Sequence, residues 1–423
     1  MSDASQLTGE VEKLLPGGEA LVHSETSTYL VANAIPGDTI SFEPTERRRG
    51  AKRALLTSVL KCSSMRVEAP CPVADQCGGC ALQYLDPDMH GETKSLWVLD
   101  IFKAFMNPES LWIPAEGMDN RMRRRVRWFV GSSDRGLFLG FRSRASHTVI
   151  RHSECMLLGR ELNQLRHLIE QAMDNGFLSG LESVQALQLS DGIHAVLEGV
   201  EAESQPLEMS SETSDLPIQW WKRNESGAIP LTRPVKPFHD RVSINSERKI
   251  DIRIGPDDFV QGQQEGNRQM VDQVIEWGRG SRFIVDLFSG VGNLSLPLAA
   301  AHAARVAGAE LNPASVQAAN ANARRLDLDA RYQKLNLFEA FDAEPFAGAD
   351  LLILDPPRRG AKKVCEMVRT LLPAKIVMIN CDPASGGRDA ATLQSHGYRL
   401  HTLRALDLFP YAGHVEAMSL WTR

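Results

Sequence analysis

The sequence predicts an α/β protein: a doubly wound, mainly parallel sheet over residues 246–423, preceded by a small β-barrel and a mixed α+β region. Three observations carry that expectation. From about Phe259 onward, apolar strand-type runs alternate with helical patterns; FIVDLF is followed by GNLSLPLAAAHA, and RVAGAEL by PASVQAANANARRL. Before residue 60, short alternating stretches are separated by the turn signals Pro16-Gly17-Gly18 and Pro36-Gly37. The chain has 423 residues, 43% hydrophobic and 24% charged, which allows two to four domains, each burying its own core.

The first unit, residues 1–60, reads as the short strands VEKLL, EALVHS, TYLVANA, DTISFEP and ALLTSVL, the pattern of a small barrel. It carries a basic run, Arg47-Arg48-Arg49-Gly50-Ala51-Lys52-Arg53. The whole chain has 47 Lys and Arg against 53 Asp and Glu, a formal charge of −6. A nucleic-acid binder of this composition must therefore cluster its cations locally.

Residues 61–245 form the mixed central unit. A helix is expected over His90–Phe105, followed by a second basic run, Arg121-Met122-Arg123-Arg124-Arg125-Val126-Arg127-Trp128. On a strand, Arg123, Arg125 and Arg127 share one face, beside the aromatic Trp128 and Phe129. Such a face suits RNA phosphates and bases, although a solvated edge strand has the same composition. The acidic, Ser-rich residues 200–216 predict an exposed loop.

In residues 246–423, strands buried on both faces alternate with helices, so the crossovers are expected to be right-handed. Asp286-Leu287-Phe288-Ser289-Gly290-Val291-Gly292-Asn293 closes the first strand and opens a helix. Gly290 and Gly292 permit a tight turn and close backbone approach to a ligand. Glu310 follows Gly290 by 20 residues, where a carboxylate can grip ribose hydroxyls. Ser295 occupies the third position of the dinucleotide fingerprint, and the fourth strand ends in Asp355-Pro356-Pro357-Arg358. Together these favour S-adenosylmethionine over a nicotinamide cofactor.

Seven cysteines, an odd number, without a basic or apolar export segment in MSDASQLTGE, argue against a disulfide framework and for a cytoplasmic protein. The longest apolar stretch, around Leu294–Ala301, is too short to span a bilayer. Cys71, Cys77 and Cys80 lie on one glycine-rich stretch, and three soft donors need a fourth to close a zinc or iron–sulfur site. Cys62 and Cys155 are the candidates.

The tail carries a family likeness: Asn380-Cys381-Asp382-Pro383-Ala384, then Arg388-Asp389, Asp407-Leu408-Phe409-Pro410 and His414-Val415-Glu416. The chain resembles the S-adenosylmethionine-dependent RNA uracil-5-methyltransferases, whose pattern reads S-C-N-P-A-T-L-A-R-D, then D-x-F-P and H-(V/L)-E. Phe259-Val260-Gln261 with Asn267 is similar to the family's F-x-Q element, and the barrel resembles a TRAM domain. The resemblance implies Cys381 as nucleophile and Glu416 as base. It implies Gln261, Phe288, Asn293, Glu310, Asn336 and Asp355 as cofactor contacts, beside Gly290, which the Gly-x-Gly turn already places at the cofactor. It also takes the fourth cluster ligand from Cys155, giving a [4Fe-4S] cluster on Cys71, Cys77, Cys80 and Cys155, with zinc as the alternative. The expected partner is 23S ribosomal RNA, with transfer RNA as alternative, bound by a monomer with no membrane contact.

The chemistry accounts for these residue types. Carbon-5 of uracil is a poor nucleophile until a thiolate adds at carbon-6, and a base must later remove the carbon-5 proton so that the thiolate can leave. Asp382, where the family carries Asn, sets a negative charge beside the nucleophile that would raise the thiol pKa unless paired. Two other readings compete. A radical methylthiotransferase would need a Cys-x3-Cys-x2-Cys spacing, and here the first gap is five residues. An RNA-binding factor without chemistry would have no use for Cys381, Glu416 and Asp355 together.

Overall fold

The computed structural model describes the chain except residues 1–5, 26, 46–51, 118–122, 145, 201–216 and 232. Arg47–Ala51 of the first basic run, Arg121 and Met122 of the second, and nearly all of the acidic segment lie outside the described residues.

Strands β1 (Leu7–Leu14), β2 (Ala20–His23), β3 (Thr28–Val31), β4 (Thr39–Pro44) and β5 (Lys52–Lys61) close a barrel in the order β1-β2-β3-β5-β4. Ala20, Val22, Val31, Ile40 and Phe42 fill its interior. In β2 and β3 buried residues alternate with more exposed ones, as a two-residue period requires. Closure leaves no free edge among these strands. The β1–β2 turn needs its glycines, because Gly17 and Gly18 hold φ of +99° and +81°.

The central region begins with α1 (His90–Phe102) and the short strand β6 (Leu111–Ile113). Next come β7 (Arg125–Ser133), β8 (Gly136–Arg142), β9 (Val149–Arg151), α2 (Arg160–Asp174), β10 (Ser183–Gln188), β11 (Ile193–Glu198), β12 (Ile218–Asn224) and β13 (Gly227–Pro230). They form a seven-stranded sheet, β13-β12-β11-β10-β7-β8-β9, with its own core of residues such as Trp128, Leu162, Ile169 and Val184. A hairpin, β14 (Phe238–Ser243) and β15 (Lys249–Ile254), leads to α3 (Gln264–Trp277).

The rest alternates as expected: β16 (Phe283–Leu287), α4 (Ser295–His302), β17 (Arg305–Glu310), α5 (Pro313–Arg325), β18 (Ala330–Lys334), β19 (Leu351–Leu354), α6 (Lys362–Leu371), β20 (Lys375–Asn380), α7 (Pro383–Ser395), β21 (Arg399–Leu406) and β22 (Glu416–Thr422). The sheet order is β18-β17-β16-β19-β20-β22-β21-β6. The first five strands pair in parallel, and β22 is inserted antiparallel between β20 and β21. All four residues of β19 are buried, the signature of a strand covered on both faces. The order reverses between β16 and β19, and a crevice opens at their carboxyl ends.

The eighth strand was not foreseen in this sheet. Leu111–Ile113, expected within the central unit, pairs in parallel with β21 at the sheet edge. The helix before it, α1, packs on α7: a Cβ on Gly387 would stand 2.6 Å from Ile101. One apolar core therefore runs from the barrel through Trp97, Val98 and Phe102 to Leu352, Met378 and Trp421 of the sheet. Among the described residues no helix is long and apolar enough to cross a membrane.

Candidate active site

A cavity of about 580 Å³ occupies the crevice where the strand order reverses. It brings together eight of the residues expected from sequence: Gln261, Phe288, Gly290, Asn293, Glu310, Asp355, Cys381 and Glu416. Asn336 does not line it; its side chain turns to Glu339, donating from Nδ2 to Oε1 at 2.6 Å. Phe338, two residues on, enters the cavity instead, its ring 5.3 Å from that of Phe288. Arg358, Phe409 and His414 complete the wall beside Cys381.

The loop after β16 is shaped by its backbone. Phe288 takes a left-handed φ of +69°, followed by Gly290 at +52° and Gly292 at +82°. A non-glycine residue there costs free energy, and such strain gathers at ligand sites. Gly290 N–H donates to Glu310 Oε2 at 3.2 Å, tying the loop to the end of β17. Asn293 exchanges two amide hydrogen bonds with Asn267 of α3, at 3.1 and 2.7 Å. Gln261 is positioned from the second basic run. Arg124, buried and paired with Asp240 at 2.7 Å, donates from Nε to the Gln261 carbonyl at 2.7 Å.

Three buried acids define the floor. Burial pushes Asp286 up to about 7, with Glu310 adding to the effect and the Ser295 hydroxyl opposing it. Asp355 rises to about 7 through burial and the neighbouring Asp286. Glu416 is raised well above the carboxylate range by complete burial and by Asp355. An apolar site holding this many acids is built to receive positive charge.

Cys381 directly follows the last residue of β20 and precedes Asp382, the cap of α7. Its thiol is pushed up to about 11 by burial, then by Glu416 and Asp355, with Arg358 pulling the other way. Asp382 is not among the charges acting on it. Its carboxylate caps α7, accepting from Ser385 N–H at 3.2 Å, so the expected penalty is absorbed by the helix terminus. Behind Cys381, Gly386 lies so close to β20 that a Cβ would stand 2.8 Å from the Asn380 side chain.

Cys71, Cys77 and Cys80 sit on the loop between β5 and α1, and Cys155 between β9 and α2; all are partly buried and free. Their fields overlap. Burial raises Cys77, Cys80 and Cys155, and each is pushed further by one or two of the other thiols, with Arg123 opposing. Cys80 reaches about 11. Cys62 is exposed at the end of the barrel. Among the described residues no three metal-ligating side chains stand close enough, as they are, to hold an ion.

The second basic run is only partly a free surface. Arg124 is internal, Arg127 pairs with Glu198, and Arg125 donates to the Asp258 carbonyl. What remains is a layer of cations on aromatic rings. Arg142 of β8 lies 3.9 Å and Arg127 5.2 Å from the Phe129 ring, and Arg151 lies 5.3 Å from that of Phe138. Phe259, 62% exposed at the rim of the cavity, has Arg125 at 5.7 Å. Arg142 and Arg151 lie outside the basic run Arg121–Arg127.

Comparison with known proteins agrees with this geometry. The family profile described as tRNA (Uracil-5-)-methyltransferase matches residues 144–423. The chain is 30% identical to the 23S rRNA (uracil(1939)-C(5))-methyltransferase RlmD of Shewanella halifaxensis, over 99% of this chain and 96% of that protein. It is 29% identical to the protein of the same name from Vibrio parahaemolyticus, over 98% and 95%. Its fold is similar to that of the Pyrococcus abyssi tRNA (uracil-54, C5)-methyltransferase in complex with S-adenosyl-L-homocysteine. That likeness has a TM-score of 0.79 at 22% identity, covering 98% of this chain and all of the other.

Proposed function

The chain belongs to the S-adenosylmethionine-dependent RNA uracil-5-methyltransferase family, and we propose that it methylates a uridine of 23S ribosomal RNA through a covalent adduct on Cys381, with Glu416 as the base that resolves it. The observation that carries this reading is the meeting of Cys381, Glu416 and Asp355 in one cavity with the Phe288–Asn293 loop and Glu310. Relatives aligned over nearly the whole chain support the ribosomal target.

S-adenosylmethionine, when bound, supplies an electrophilic methyl group on a positively charged sulfur. Asp286 and Asp355 favour that charge, Glu310 suits ribose hydroxyls, and the Phe288–Phe338 pair offers an apolar slot for a flat ring. The Cys381 thiolate adds to carbon-6 of a uridine flipped out of its stack, and the electron pair moves towards O4. Arg358 and the amino end of α7 favour the thiolate. Once carbon-5 carries the methyl, Glu416 removes its proton, the double bond re-forms and Cys381 leaves as thiolate. Burial, then the neighbouring Asp355, raises the Glu416 carboxyl well above its ordinary value, which makes its carboxylate a stronger base for this proton.

Cys381→Ala is expected to abolish methylation and to form no RNA adduct. Glu416→Gln should accumulate a methylated RNA–protein thioether, seen as a slow band on a denaturing gel. Loss of a general base slows its step about 10²–10⁴-fold, enough for the adduct to persist. Wild-type turnover in Glu416→Gln, or an adduct in Cys381→Ala, would refute the assignment.

Cys71, Cys77, Cys80 and Cys155 are read as ligands of a [4Fe-4S] cluster. Four soft donors suit such a group, and the Cys77, Cys80 and Cys155 thiols, raised first by burial and then by neighbouring thiols, gain most from the charge a metal brings.

A further inference from the structure

The loop from Asp407 to Val415 joins β21 to β22 and carries Phe409 and His414 into the cavity before delivering Glu416. It is held by segments more than 300 residues earlier in the chain. Lys94 of α1 donates from Nζ to Asp407 Oδ1 at 2.5 Å and to the Phe409 carbonyl at 2.8 Å (a separation of 313 and 315 residues). Leu82 N–H donates to the Tyr411 carbonyl at 2.9 Å, and Gly17 N–H of the barrel turn to the Gly413 carbonyl at 2.8 Å.

We propose that Lys94 is a positioning residue for methyl transfer: by anchoring Asp407 and Phe409 it sets the loop that presents Phe409, His414 and Glu416 to Cys381. The inference rests on the reading of Cys381 and Glu416 given above. Its first support is that both backbone groups of Phe409 are tied by this pair, since Asp407 Oδ1 also accepts the Phe409 N–H at 3.1 Å. The Phe409 ring then stands beside His414, with centroids 6.0 Å apart. The second is strain: Tyr411 holds a left-handed φ of +59°, a conformation that persists only when its surroundings impose it. The third is the cost of the anchor itself. The Lys94 side chain is 0% exposed and that of Asp407 3%. A buried ion pair is often no more stable than apolar residues of the same volume, so its gain here lies in fixing one loop geometry.

The test is single-turnover methylation of a uridine-containing ribosomal RNA fragment by full-length protein. It compares wild type, Lys94→Met and the double variant Lys94→Met/Asp407→Asn. Asn keeps an acceptor for Phe409 N–H while removing the unpaired charge. Both variants should bind S-adenosylmethionine within about twofold of wild type and keep the KM for RNA. Their single-turnover rates should fall about 10–100-fold, the loss a misplacement of about 1 Å can cause. The double variant should recover its urea midpoint but not its rate. A rate that returns with stability in the double variant, or an unchanged rate in Lys94→Met, overturns the proposal. If Lys94→Met does not fold, the double variant decides alone. Wild type and Cys381→Ala run alongside report separately on the nucleophile, whatever Lys94 does.

Discussion

At the scale of single residues, the site is governed by where burial puts its protons. Asp286 and Asp355 both titrate near 7 rather than near 4, chiefly because they are buried. Between those values the folded free protein holds protons that the unfolded chain has lost, so these two groups add stability as the pH falls from 7 towards 4. Cofactor binding has the opposite sign, because a cation favours the ionised carboxylates. S-adenosylmethionine affinity is expected to rise as the pH goes from 6 to 8, by up to about tenfold per pH unit for each proton released. S-adenosylhomocysteine, which lacks the sulfonium charge, should show a flatter profile. Calorimetric titrations of both at pH 6, 7 and 8 check this; parallel profiles would remove the acids from cofactor recognition.

At the scale of elements, short loops join units that are distant in sequence. The cysteine loop between β5 and α1 places Cys80 two residues before Leu82, whose N–H holds the Tyr411 carbonyl of the Asp407–Val415 loop. Cys155 is clamped from α2, donating its N–H to Asn163 Oδ1 at 3.1 Å while Asn163 Nδ2 donates back to its carbonyl at 3.2 Å. On the [4Fe-4S] reading proposed above, protein prepared without oxygen should contain iron and sulfide, about four of each, with visible charge-transfer absorbance. Stoichiometric zinc without sulfide would assign the set to zinc instead. The Gly386–Gly387 pair of α7 also finds its reason here. Asn380 lies against one glycine and Ile101 of α1 against the other, so bulkier residues would push the helix off both β20 and α1.

At the scale of the whole molecule, the barrel is not a loosely tethered module. Trp97 of α1 donates its indole N–H to the Leu14 carbonyl at 2.8 Å, and barrel, α1 and catalytic sheet share one apolar core. The seven-stranded central sheet keeps a separate core. Scanning calorimetry should show the barrel and the catalytic sheet unfolding in one transition, since surfaces buried against each other are exposed together. A separate low-temperature transition, removed by deleting the barrel, would contradict this.

The alternating strands and helices after Phe259, the five barrel strands and the Cys381 and Glu416 motifs were legible because each is written in short-range order. A period of two residues or 3.6 residues, a turn glycine, or a cysteine at the end of an apolar run needs only its neighbours to be read. What tertiary structure alone decided depends on which surfaces meet. Leu111–Ile113 is too short to show a period and becomes a strand only by pairing with β21. Phe338 rather than Asn336 faces the cavity because side-chain direction follows the path of the loop after β18. Arg124 reads as one more cation in a basic run, yet it is buried against Asp240 beneath Gln261. Lys94 lies on the helix expected over His90–Phe105, and it closes on a carboxylate 313 residues away. No local pattern encodes such contacts, because the free energy that selects them, burial against a particular partner, exists only once the chain has folded.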